Sequence, residues 1–85
     1  MEEQYRTWAR NIANGRKALG LSQAQLAERV AEAAGRPLSQ QSVARWEAGH
    51  DAPRDLFRAA LATVLSQDVA QLFPAFRLPQ PGAKR

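Results

Sequence analysis

An all-α fold is predicted by three features of this 85-residue chain. Seventeen residues are alanine, the strongest helix former, whereas β-branched residues are few. No stretch alternates apolar and polar residues as a half-buried strand does. Glycine and proline residues divide the chain into five segments with apolar residues at helical spacing, followed by a Pro-rich tail. We therefore expect a five-helix domain over residues 1–73 and a flexible basic tail over residues 74–85.

The first segment, predicted from about Gln4 to Leu19, has one apolar face formed by Tyr5, Trp8, Ile12 and Leu19. Gly15 falls on the same face, where a larger apolar residue is expected. An interior glycine costs a helix about 1 kcal/mol relative to alanine, so we interpret Gly15 as a point of close approach by a neighbouring helix. Gly20 is placed to end this helix.

The second segment has a complete helix-start signal. Ser22 is predicted to cap the helix, and Gln25 stands at the position that completes a capping box. Leu21 and Leu26 flank this cap as a hydrophobic staple. The Gly35-Arg36-Pro37 run ends the helix, because proline cannot continue it.

The third segment repeats this arrangement over fewer residues. Ser39 is predicted to cap a short helix from Gln40 to about Ala48, ahead of Gly49. Leu38 and Val43 are spaced to pack against each other around that cap.

The fourth segment is predicted from Pro53 or Arg54 to Leu65, with Pro53 in the first turn. Its apolar side is expected to consist of Leu56, Phe57, Ala60, Leu61, Val64 and Leu65. The fifth segment is one or two turns from about Asp68 to Phe73, and Pro74 ends it.

Charge and cysteine content narrow the class of protein. Twelve Lys and Arg against eight Asp and Glu give a formal charge of +4, which favours an acidic partner, nucleic acid first. The absence of cysteine excludes disulfides, Cys-based zinc sites and thiol nucleophiles, and it suits a reducing cytoplasm. No apolar run approaches the roughly 20 residues of a membrane span, so we expect a cytoplasmic protein without a membrane partner.

The third segment has the two-sided character of a helix that binds the major groove. Val43 and Trp46 fall on one side, where they can anchor the helix in the core. The other side carries Gln40, Gln41, Ala44 and Arg45. Glutamine can pair with adenine N6 and N7, and arginine with guanine O6 and N7. The pattern predicts base recognition by Gln40, Gln41 and Arg45.

With these residues the chain resembles the Cro/CI-type helix-turn-helix family of lambdoid phage repressors and many bacterial regulators. The resemblance extends over roughly residues 9–73 and rests on GLSQAQLAERV, SQQSVARWEAG, Pro53, Leu61-Ala62 and LSQDVAQLF. It implies a compact, lambda-repressor-like domain of five helices that binds operator DNA, with helix 3 in the major groove.

The resemblance also implies roles for individual residues. Gln23 is expected to contact a phosphate and to brace Gln40, and Ser42 to lie near a phosphate or sugar. The loop after helix 3 usually contacts the DNA backbone, and its matching residues here are His50, Asp51 and Arg54. Arg16 and Glu47 correspond to an internal ion pair with a structural role.

Three features depart from the family pattern. About six residues more than the usual tight connection separate Val30 from Ser39, so either helix 2 is longer or the turn has become a loop. Gly15 replaces an apolar residue. Asp51 places a negative charge where phosphates are expected, offset by His50 and Arg54.

Several of these residues have simpler interpretations. Gln40, Gln41 and Arg45 are also compatible with a solvated helix surface, although the surrounding motif favours DNA contact. Trp46 is predicted to be a core residue rather than a stacking platform, and Trp8 and Tyr5 to be core or dimer-interface residues. The single histidine, His50, has no second His, Cys or carboxylate cluster, and no serine has a histidine partner. We therefore expect no enzyme activity, no metal and no cofactor.

The sequence thus predicts a small prokaryotic or phage-encoded transcription regulator, a repressor that binds double-stranded DNA as a homodimer. The alternative is a protein-interaction module, such as an antitoxin that contacts a toxin through its Pro-rich tail. The tail carries three basic residues, whereas residues 39–73 carry three basic and four acidic ones. We expect the tail to be disordered, with a DNA-backbone arm or a dimer-swapped segment through Phe76 and Leu78 as alternatives.

Overall fold

A computed structural model describes residues 3–74 of the protein, and these residues form five α-helices. Their bounds are α1 Glu3–Ala18, α2 Gln23–Ala34, α3 Gln40–Glu47, α4 Asp55–Leu65 and α5 Val69–Leu72. No strand occurs in this range. The all-α, five-helix prediction is therefore confirmed.

The helices surround one core, in which α2 packs against both α3 and α4 while α1 packs against α3. The largest side chains that are fully removed from solvent are Phe73, Ile12, Leu26, Leu61, Leu72, Val30 and Val43. Trp8 lies edge-on to Phe73, with the ring centroids 5.2 Å apart, and so joins α1 to the end of α5. The Trp8–Phe73 contact therefore holds the first and last helices together on the core.

Local capping signals explain where three helices begin. The Ser22 hydroxyl accepts the backbone N–H of Gln25 at 3.0 Å, and the Gln25 side chain accepts the backbone N–H of Ser22 at 2.8 Å. Ser39 caps α3 by accepting the Ser42 N–H at 3.2 Å. At α5, the side chain of Gln71 accepts the N–H of Asp68 at 2.9 Å. Each cap satisfies a donor that the helix itself leaves unpaired.

The extra residues between α2 and α3 lengthen both the helix and the connection. α2 continues to Ala34, and residues 35–39 then lead to α3. The connection is not detached from the domain, because Leu38 is half-buried against the core. Helix α2 is therefore longer than in the family pattern, and the turn has also become a loop.

At Gly15, α1 lies close to Leu65 at the end of α4. A Cβ atom at Gly15 would lie 3.0 Å from Leu65 Cδ1, tighter than ordinary van der Waals contact. The expected close approach of a neighbouring helix is confirmed, and that neighbour is α4. A larger side chain would push α1 away from Leu65.

Three details of the sequence-based prediction are wrong. Pro53 precedes α4 instead of lying in its first turn: it is buried ahead of the N-cap Arg54, and its carbonyl accepts a hydrogen bond from Arg58. Leu56 is 43% exposed because it lies roughly 140° around α4 from Leu61, outside the buried arc. Leu19 is also exposed, since α1 ends at Ala18 and the chain turns there.

Candidate nucleic-acid interface

Helix α3 presents two different faces. Val43 is completely buried and Trp46 is 6% exposed, and the Trp46 ring packs 5.7 Å from the Phe57 ring of α4. Trp46 is therefore a core residue, as its position in the sequence predicts. The opposite face carries Gln40, Gln41 and Arg45, all of which are exposed.

The amides of Gln40 and Gln41 are free to bind a ligand. Both residues lie in the first turn of α3, and neither side chain has a hydrogen-bond partner within residues 3–74. Because α3 is fixed by its buried face, these amides project from a rigid element. Such an amide offers a donor and an acceptor in the arrangement that adenine N7 and N6 require.

Arg45 lies one helical turn beyond Gln41 and is paired with a loop residue. Its Nε donates to Asp51 Oδ2 at 2.7 Å, while about half of each side chain remains exposed. This hydrogen bond raises the pKa of Arg45 and is the main reason why the pKa of Asp51 is lowered. Sequence reasoning missed this contact, treating Asp51 only as a charge opposed to phosphates.

The turn at Gly49 brings the chain back towards Arg45. Its φ of +80° is in the left-handed region, which glycine adopts at little cost. The next residue, His50, donates its backbone N–H to the Arg45 carbonyl at 3.0 Å and closes the end of α3. Asp51 follows directly, beside the side chain of Arg45. Gly49 was thus the one feature of the sequence that could have indicated the Arg45–Asp51 pair.

Two of the four residues predicted to contact the DNA backbone line one cleft. Ser42 and Arg54 border a cavity of about 360 Å³ between α3 and α4, together with Leu38, Trp46, Asp51, Ala52 and Phe57. His50 is exposed in the adjoining loop and is not part of that lining. Its charged form would help to lower the pKa of Asp51, although less than Arg45 does.

Gln23, the fourth predicted backbone contact, lies outside this cleft. It opens α2, and its side chain bonds to a residue at the C-terminal end of α3. Its Nε2 donates to Glu47 Oε1 at 3.0 Å. Within residues 3–74 the expected brace to Gln40 is absent, so that expectation is wrong for this structure. A carboxylate is also a stronger acceptor than a neutral amide, which favours Glu47 as a partner.

Arg16 and Glu47 connect α1 to the end of α3. Arg16 Nε and Nη2 donate to the two oxygens of Glu47 at 2.7 and 2.9 Å, and Nη1 donates to the Leu21 carbonyl at 2.8 Å. Both side chains are mostly buried. The hydrogen bonds that Arg16 donates to Glu47 raise the pKa of Arg16 above its ordinary value.

No group of three or more His, Cys, Asp or Glu side chains in residues 3–74 is arranged to hold a metal ion. None of the helices in that range has the length and apolar character needed to cross a membrane.

Comparison with known proteins identifies the family. A helix-turn-helix family model matches residues 12–66, which is more than half of the chain. Comparison with curated proteins and with solved structures gave no match. The matched range begins in α1 and ends just after α4, so it includes the exposed face of α3 and the loop that carries Asp51. The chain therefore belongs to the Cro/CI-type helix-turn-helix family, the DNA-binding domains of transcription regulators.

Proposed function

We propose that this protein is a transcriptional repressor that binds a specific operator in double-stranded DNA. Helix α3 lies in the major groove, where Gln40, Gln41 and Arg45 contact base edges. The observation that carries the proposal is the free, exposed pair of glutamines on a helix locked in place by Val43 and Trp46. Repression follows from occupancy, because a bound domain blocks the DNA it covers.

Phosphate contacts set the register of this complex. Ser42 and Arg54 share the cleft beside α3, and His50 is exposed next to it. Gln23 opens α2, where free backbone N–H groups favour an anion. These four residues surround the base-reading face and supply affinity that does not depend on sequence.

We further propose that two copies bind one operator. In this family two-fold protein symmetry corresponds to a palindromic site, with half-sites about 34 Å apart, one turn of DNA. Residues 1–73 would form the binding domain, and the basic tail from residue 74 would be an addition to it. Nearly all of that tail, including Arg77, Lys84 and Arg85, lies outside the described residues.

Selection of binding sites from a random duplex pool tests this proposal directly. We expect a palindromic consensus with half-sites about 10 base pairs apart. Absence of any enriched sequence would contradict DNA recognition and would favour the antitoxin-like alternative. A consensus without a palindrome would contradict the homodimer alone.

A single substitution then tests the base-reading assignment. Gln41→Ala should reduce the preference at one base pair of the consensus by about 1–3 kcal/mol, with little change in binding to random DNA. Gln67→Ala is a suitable control, because Gln67 is exposed in the turn after α4. Equal losses on the operator and on random DNA would contradict base contact by Gln41.

A further inference from the structure

The Arg45–Asp51 pair uses only one edge of the guanidinium. The contact with Asp51 is made by Nε, at 2.7 Å. Within residues 3–74, Nη1 and Nη2 have no hydrogen-bond partner. These two nitrogens form the outer edge of the planar group, which is the edge that can bind guanine O6 and N7 together.

Asp51 is held in place by the backbone around it. The positive φ of Gly49 and the bond from His50 N–H to the Arg45 carbonyl fix the chain immediately before Asp51. This turn sets the Asp51 backbone beside Arg45, and the carboxylate accepts from Nε at 2.7 Å. Pairing the Nε edge orients the whole guanidinium plane, because the group is rigid.

The charge of Asp51 otherwise has no favourable place beside DNA. The residue borders the cleft that also contains Ser42 and Arg54, where we place a phosphate. An unpaired carboxylate there would repel that phosphate. Its pairing with Arg45 offsets the negative charge, and the same hydrogen bond lowers the pKa of Asp51.

We propose that Asp51 is a positioning residue that makes Arg45 select guanine. Asp51 fixes the Nε edge, and the Nη edge is thereby presented to one base pair of the major groove. This inference rests on the proposed function, in which α3 contacts bases. An arginine without this partner samples other rotamers and binds neighbouring phosphates as readily as a base, so Asp51 contributes discrimination more than affinity.

The test is Asp51→Asn, assayed on operator duplexes that differ only at the base pair assigned to Arg45. We expect the Kd for adenine divided by the Kd for guanine at that position to fall by about three- to tenfold. Affinity for random DNA should stay the same or increase, because a negative charge has been removed. Glu32→Gln removes the same charge from an exposed position of α2 and should leave the ratio unchanged.

A double variant shows whether Asp51 acts through Arg45. Asp51→Asn should have no further effect on the ratio when Arg45 is already alanine. A remaining effect would mean that Asp51 contacts a base itself, for example a cytosine amino group, and would overturn the positioning role.

Failure of this inference differs from failure of the proposed function. A guanine preference that Arg45→Ala abolishes but Asp51→Asn leaves intact overturns only the role of Asp51. A preference that survives Arg45→Ala overturns base contact by Arg45, and the positioning role with it. If the native protein shows no base preference at any position, the proposed function itself is contradicted. Circular dichroism of each variant confirms that its helices are intact.

Discussion

Glu47 Oε1 accepts hydrogen bonds from both Arg16 and Gln23, so one carboxylate joins α1, the start of α2 and the end of α3. The second oxygen of Glu47 also bonds Arg16, and the pair is mostly buried. This junction adds to the buried Val43 and Trp46 in fixing the orientation of α3 relative to α1 and α2.

Glu47→Ala should destabilise the fold, because it leaves the buried guanidinium of Arg16 without its counter-charge. We expect a loss of about 2–3 kcal/mol in the free energy of unfolding and a fall in Tm of roughly 10–20 °C. Thermal and urea denaturation measure both. Glu28→Ala is the control, since Glu28 is exposed on α2, and an equal effect of the two substitutions would contradict the structural role of the pair.

Gln23→Glu should weaken the same junction by placing a second carboxylate beside Glu47. The lost hydrogen bond and the repulsion should cost about 1–3 kcal/mol of stability. Affinity for DNA should fall equally on all sequences, because the new charge also repels a phosphate. A changed base preference at unchanged stability would indicate that Gln23 contacts bases.

Gly15→Leu should destabilise the protein by about 1–3 kcal/mol, because a Cβ at this position already meets Leu65 Cδ1 at 3.0 Å. Gly15→Ala should be close to neutral, since the same contact opposes a gain of about 1 kcal/mol in helix propensity. Urea denaturation distinguishes the two variants. Asn14→Leu, on the exposed side of α1, provides the control, and similar values for both leucine variants would rule out the close approach.

Sequence alone was sufficient where the structure depends on neighbouring residues. The Ser22–Gln25 capping box and the Ser39 cap each join residues three apart, so their chemistry is visible in the sequence. The core positions of Val43 and Trp46 follow equally from helical spacing. These local rules determine the element order and both faces of α3.

Contacts that depend on loop geometry could not be predicted. The partner of Arg45 is Asp51, six residues away, and it is set by the path of the chain after Gly49. Gln23 likewise bonds Glu47 instead of Gln40, a choice decided by how α2 and α3 pack. Spacing places such residues near one another but does not say which donor meets which acceptor.

The pKa of Asp51 should depend on Arg45. The hydrogen bond from Arg45 stabilises the carboxylate and lowers its pKa, so Arg45→Ala should return that pKa toward the ordinary value of an aspartate. NMR detection of the Asp51 carboxyl carbon during a pH titration measures the shift. Because the folded-state pKa is the lower one, the pair stabilises the fold above the ordinary pKa, and this contribution is lost as pH falls through the lowered value. Identical titrations in both proteins would contradict the pair in solution.

Pro74 is the last described residue, and its carbonyl accepts a hydrogen bond from Trp8 Nε1 at 2.8 Å. Trp8 is also in contact with Phe73 and is buried in the core. A truncation after Phe73 would therefore remove this acceptor of the indole N–H. A loss of stability could then not be separated from a loss of DNA affinity. A stop after Pro74 retains the contact and removes only the tail.

Truncation after Pro74 should lower the salt dependence of DNA binding if the tail contacts phosphates. It removes Arg77, Lys84 and Arg85, and each cation that contacts a phosphate contributes about 0.9 to the slope of log K against log salt concentration. We expect a slope shallower by roughly 1–3 and an unchanged base preference, since the base-reading face remains. Titrations at several salt concentrations on operator and random duplexes measure both quantities. An unchanged slope would show that the tail makes no backbone contact.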